Sequence, residues 1–197
     1  MINITIATED VLSESIISKI LSNAGKFKIV MSLGKQGCGY LINKLNNFNN
    51  LAKTCVVLVV IDLDNNKSHD EYIEKITKSI SKIDKNLVFS VPIKEVESWI
   101  LADKSGLSKF LNISENKIDR DPDTVADPKE KIIYLAKNCK NRSAKNGIPP
   151  KPKEISKVGL SYNTVLVDFV NNHWSIERAS NNSPSLRRTL ELVDSIS

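Results

Sequence analysis

Residues 56–61 read Val-Val-Leu-Val-Val-Ile, an unbroken apolar run that leads directly into Asp62-Leu63-Asp64. A run this short, apolar at every position and dominated by β-branched side chains, fits a strand buried on both faces. Such strands occur in parallel sheets covered by helices, and open sheets of that kind hold ligands at the carboxyl ends of their strands. Asp62 and Asp64 stand at that end. Two carboxylates two residues apart can turn to the same side there and share a hard divalent cation.

The flanking sequence alternates as a parallel sheet requires. Residues 2–7 read as a strand. Residues 11–21 read as a helix with apolar positions at Val11, Leu12, Ile16, Ile17, Ile20 and Leu21, stopped near Gly25. A second strand covers 27–31, a glycine-rich loop 32–39, and a helix opens at Tyr40. The third strand is 55–61. The next helix starts at Ser68 or His69, with Tyr72, Ile73, Ile76, Ile80 and Ile83 on one face, and a fourth strand covers 87–91. Asn65, Asn66 and Lys67 suit the turn between. After Pro92 the strands stop. A helix is expected over 93–102, another after Asp127-Pro128-Lys129-Glu130, which combines an acidic cap, an N1 proline and an N3 glutamate. Two more are expected over 162–169 and after Ser183-Pro184. Residues 141–157 read as a loop because of Gly147, Pro149, Pro150 and Pro152. The expected fold is α/β: a parallel four-stranded sheet over residues 1–103, then a helical part over 104–197 whose basic loop at 140–157 packs on the first part.

Compartment follows from what the chain lacks. No apolar stretch nears the roughly 18 residues of a membrane span. The first residues have no basic n-region, so they read as a strand and not as a signal peptide. Cys38, Cys55 and Cys139 are an odd number without a Cys-x-x-Cys pair, which suits a reducing cytoplasm. The formal net charge of +5 is unevenly spread. Residues 131–157 carry Lys131, Lys137, Lys140, Arg142, Lys145, Lys151, Lys153 and Lys157 against one acid, Glu154. That bias favours a polyanionic partner such as nucleic acid, although a solvated lysine-rich surface accounts for it equally well.

Acids follow three of the four expected strands: Glu9 after the first, Asp62 and Asp64 after the third, Glu95 and Glu97 after the fourth. Parallel strands bring their carboxyl ends to one edge, so these groups can converge. Oxygen ligands without a nearby histidine or cysteine cluster suit Mg2+ or Mn2+ and not zinc. A cation held this way can bind a phosphodiester and activate water. Capping of the following helix is the competing explanation, and it is the stronger one for Glu9 alone. On a helix Glu95 and Glu97 point about 200° apart, so one of them faces the site. Trp99 suits packing. The loop Gly34-Lys35-Gln36-Gly37-Cys38-Gly39 can offer backbone amides and Lys35 to a phosphate, but it matches neither the Walker A nor the dinucleotide pattern, and a tight turn explains its glycines equally.

In order and placement, Glu9, Gly34-Lys35-Gln36-Gly37 and Asp62-Leu63-Asp64 resemble the TOPRIM fold of topoisomerases, primases and the nuclease domain of OLD proteins. The resemblance covers residues 1 to about 100. It implies that Glu9, Asp62 and Asp64 hold Mg2+ or Mn2+. A second set looks like a bacterial family of TOPRIM-like proteins often found beside ATPases or in phage-defence settings: residues 97–103 (Glu-Ser-Trp-Ile-Leu-Ala-Asp), Asp127-Pro128-Lys129, residues 159–163 and Ser183-Pro184-Ser185-Leu186. One departure is Ala7-Thr8 before Glu9, where many relatives have Glu-Gly around the acid. This second resemblance implies that Glu97 is the extra acid, that the helical part forms some of the cleft, and that Lys129 or Lys157 lies near the phosphate. The expectation is a metal-dependent nuclease acting in bacterial antiviral defence. Its catalytic and metal residues would be Glu9, Asp62, Asp64 and Glu97, and its phosphate contacts Lys35, Gly37, Lys129 and Lys157. The alternative is a non-catalytic nucleic-acid or nucleotide sensor working with an ATPase partner encoded alongside. The sequence leaves the oligomeric state open, a homodimer included.

Overall fold

The apolar β-branched run of residues 56–60 forms an inner strand of the sheet. The computed structural model describes residues 1–64, 66, 68–153 and 155–197. Asn65 and Lys67 of the expected turn and Glu154 of the expected basic loop lie outside the described residues. Strands β1 (Ile2–Thr8), β2 (Phe27–Gly34), β3 (Val56–Val60) and β4 (Leu87–Ser90) form one sheet, all neighbours parallel, in the order β2-β1-β3-β4. All five residues of β3 are buried, as its composition demands.

The connections follow from the right-handedness of parallel crossovers. Helix α1 (Val11–Ala24) carries the chain from β1 outward to β2. The return from β2 passes over β1 to β3, so α2 (Cys38–Leu51) falls on the opposite face, and α3 (His69–Thr77) continues on that side. Its core joins Leu41, Leu45 and Phe48 of α2 and Tyr72 and Ile76 of α3 to Ala7, Val57 and Val59 of the strands. Complete burial of each such aliphatic side chain stabilises the fold by roughly 1.5–3 kcal/mol. Direction of travel reverses between β1 and β3, and this is the topological switch point of the sheet.

The chain divides into two compact units, one of Met1–Ile93 with Arg188–Ser197, the other of Lys94–Arg187. The expected division is at residue 103. The observed one comes earlier, between Ile93 and Lys94, in the irregular stretch that follows β4, where Lys94 has a φ of 62°. In the first unit the C-terminal segment is tied down by Ser90, whose Oγ lies 2.8 Å from Thr189 Oγ1. Lys26 Nζ also donates to the carbonyls of Asp194 and Ile196.

The second unit is helical: α4 (Glu97–Ala102), α5 (Lys104–Leu111), α6 (Pro128–Lys137), α7 (Arg142–Gly147), α8 (Tyr162–Asn172) and α9 (Ile176–Ser180). The final helix α10 (Pro184–Ser195) begins in it. Trp99 is fully buried and donates through Nε1 to Ser185 Oγ, while Trp174 Nε1 donates to the Trp99 carbonyl. Four local expectations are corrected. The helix expected from residue 93 starts at Glu97, so Glu95 precedes it and the argument from helical spacing between Glu95 and Glu97 does not apply. The loop expected over 141–157 contains α7, capped by Asn141, whose Oδ1 accepts from Ala144 N–H. Helix α3 stops at Thr77, before Ile80 and Ile83, and Ile83 is exposed. Strand β2 runs on to Gly34, three residues past Met31. No helix of the described residues is long and apolar enough to cross a membrane.

Candidate functional site

The switch point between β1 and β3 is where Glu9 and Asp62 emerge. Asp10, not Glu9, caps α1, its Oδ1 accepting from the Ser13 amide and hydroxyl. Glu9 is thereby released to reach across the sheet, and its Oε1 accepts the Asp62 amide N–H at 2.8 Å. The β2 exit is fastened to the same place. Lys35 N–H donates to the Thr8 carbonyl at 2.8 Å and Gly37 N–H to the Glu9 carbonyl at 3.0 Å. A glycine is required at 34, where φ is 92° and a Cβ would lie 2.1 Å from the Thr8 carbonyl oxygen. On the other side Leu63 N–H donates to the Pro92 carbonyl at 3.0 Å. Two non-glycine residues of these loops, Lys35 (φ 62°) and Asp64 (φ 50°), hold left-handed backbone, a conformation that collects at functional sites.

Two groups that sequence analysis passed over stand beside these acids. Burial pushes the Cys38 thiol up, and the negative charges of Glu9, Asp64 and Asp62 push it the same way. The Tyr72 phenol is pushed well above its ordinary value, first by burial, then by Cys38, Glu9 and Asp64. Glu9 and Asp64 act on both groups, and Asp62 on Cys38. The only advance signal was Cys38's place next to Gly37, since Tyr72 reads as one more core position on its helix. Among the described residues no three His, Cys, Asp or Glu side chains are already drawn together to hold a metal ion. The donor set nonetheless has one chemistry. It is carboxylate oxygen, with the neighbouring sulfur held protonated, and that fits a hard cation and not zinc.

The expected phosphate contacts are placed as follows. Gly37, with φ 79°, is the N-cap of α2 and makes no side-chain cap bond. Lys35 Nζ lies 3.2 Å from Glu14 Oε2, an exposed pair of little energetic weight. Lys157 is exposed on its loop.

Glu97 and Lys129 belong to the second unit and meet there. Glu97 is 1% exposed; its Oε1 accepts from Tyr162 O–H at 2.9 Å and lies 3.5 Å from Lys129 Nζ. Lys129 also donates to Glu95 Oε1 at 3.0 Å. The turn that delivers Tyr162 is held by Gly159, whose amide donates to the Ile148 carbonyl and whose missing Cβ leaves room for the carbonyls of Gly147 and Pro149. Lys129 is therefore the counter-charge of two glutamates. A separate network centres on Asp103, fully buried, which accepts from Gly106 N–H, Ser175 N–H and, in a fork, Arg178 Nε and Nη2.

The fold defines a Rossmann-like α/β protein with a helical part, and Glu9 and Asp62 stand at the switch point of the sheet. The chain belongs to the DUF4276 family, a domain of unknown function, whose model matches residues 7–158. No curated protein and no solved structure matches it.

Proposed function

We propose that the protein is a Mg2+- or Mn2+-dependent nuclease whose metal ligands are Glu9, Asp62 and Asp64. The observation that carries the reading is the Glu9–Asp62 hydrogen bond across the β1–β3 crevice, with Asp10 taking over the capping role. A carboxylate offers about four lone-pair sites, so Glu9 can keep the Asp62 amide and still ligate, or release it. When bound, the cation supplies Lewis-acid polarisation of a phosphodiester and a more acidic bound water. The chain's own part is to fix the carboxylates at the sheet edge and to offer the Gly34–Gly37 turn and Lys35 to the flanking phosphate. Glu97 as a fourth ligand, and Lys129 and Lys157 as phosphate contacts, rest on the family resemblance alone. So do the TOPRIM assignment, the defence role and the ATPase partner.

The test is cleavage of labelled single- and double-stranded DNA and RNA with Mg2+, with Mn2+ and with chelator. Wild type should cleave only with metal, and Asp62→Asn should lose at least about 100-fold in rate while keeping its thermal melt. Metal-dependent cleavage that survives in Asp62→Asn overturns the assignment. Metal and nucleic-acid binding without cleavage of any substrate would favour the sensor module instead.

A further inference from the structure

The second unit contains a cavity of about 620 Å³ between α5, α7, α8 and α9, a volume in the usual range for a small-ligand cleft. One wall is aromatic. The exposed imidazole of His173 lies with its ring centre 5.2 Å from that of Phe110 and stacks at 15° on the buried ring of Phe169. Lys109, exposed at the end of α5, and Arg178 also line the space. Arg178 is anchored: Asp103 holds Nε and Nη2, and Nη2 also donates to the His173 carbonyl. That clamp fixes the guanidinium plane, and among the described residues the two donors of Nη1 make no hydrogen bond. Asn141 and Ser143 form the α7 side, and they sit within the most basic part of the chain. Lys137, Lys140, Arg142 and Lys145 surround them in sequence, and no Asp or Glu occurs between Lys131 and Lys153. Among the described residues one acid, Asp168, lines the cavity, and it accepts from Asn172.

We infer that this cavity is a binding cleft for single-stranded nucleic acid, stacking an unpaired base on the His173–Phe110 wall and holding its phosphates with Lys109 and Arg178. An aromatic wall beside cations is the composition that captures single strands, because every base has a π-face and every nucleotide a phosphate. A duplex buries its base faces in its own stack and offers this wall nothing. An acidic peptide would use the cations but not the rings. The inference deepens the nuclease reading by naming single strands as the substrate class, and it rests on that reading for what happens after binding.

Binding is measured on the full chain in chelator, so that no cleavage intervenes, by the fluorescence anisotropy of a labelled twelve-residue oligothymidylate. His173→Ala should weaken binding by at least about fivefold through the lost stack. Lys109→Glu should also weaken it, and should lower the slope of log affinity against log salt by about 0.7 for the one phosphate contact removed. A fall in affinity for both cleft variants with no cleavage by wild type would leave the cleft and remove the nuclease. Unchanged affinity in folded Lys109→Glu and His173→Ala, with cleavage abolished by Asp62→Asn, would remove the cleft and leave the nuclease. Wild type that binds no single strand, or binds a duplex as tightly, overturns the inference.

Discussion

At the scale of single residues, the division of labour between Glu9 and Asp10 decides how the site is read. Asp10→Ala should lower stability by about 1 kcal/mol, the usual cost of a lost N-cap, and leave Mn2+ affinity unchanged in a calorimetric titration. Glu9→Gln keeps an oxygen for the Asp62 amide but drops the charge. It should melt near wild type and bind Mn2+ more weakly, whereas equal affinity would remove Glu9 from the ligand set. The neighbours give a pH signature. Folded Cys38 and Tyr72 keep their protons at pH values where the unfolded chain has lost them, their ordinary values being 9.0 and 10.0. Their contribution to stability is therefore complete below pH about 9 and lost progressively above it. Thermal melts should fall in temperature from pH 9 upward, and Tyr72→Phe should flatten that fall. A melt insensitive to pH between 9 and 11 would contradict the burial of both groups beside the acids.

Elements were legible in the sequence in proportion to how strongly one period dominated them. Strand β3 could be read because every position is apolar, and α1 because its buried residues Leu12, Ile16, Ile17, Ile20 and Leu21 repeat with helical spacing. Helices α5, α7 and α9 run for only 8, 6 and 5 residues, too short for a period to emerge, and glycine and proline near α7 pointed the other way. Their stability comes from caps and buried polar partners that no local pattern announces. Asp103 is the clearest case, since its four donors come from Gly106, Ser175 and Arg178, the last 75 residues away. Arg178→Ala strips the cation from a fully buried carboxylate and should cost about 3 kcal/mol, read by denaturant unfolding. A change below 0.5 kcal/mol would mean that the two amides satisfy Asp103 by themselves. The placing of Glu9, Gly34–Gly37 and Asp62 at strand ends was legible, because in a parallel sheet position in sequence fixes the edge. The Glu97–Tyr162–Lys129 cluster was not, because it depends on how helices 65 residues apart pack.

At the scale of the molecule, the order β2-β1-β3-β4 is what gives the acids a common address. Local sequence alone could place Glu9 and Asp62 at strand ends; only the crossover directions make those two ends neighbours across a crevice. The most direct test is a crystal soaked in Mn2+ and measured by anomalous diffraction. The account predicts a manganese peak ligated by carboxylate oxygens of Glu9, Asp62 and Asp64, about 2.1–2.2 Å from each, as oxygen-ligated ions of this size require. A saturating soak that leaves those carboxylates without a peak, or puts manganese elsewhere on the chain, would contradict it.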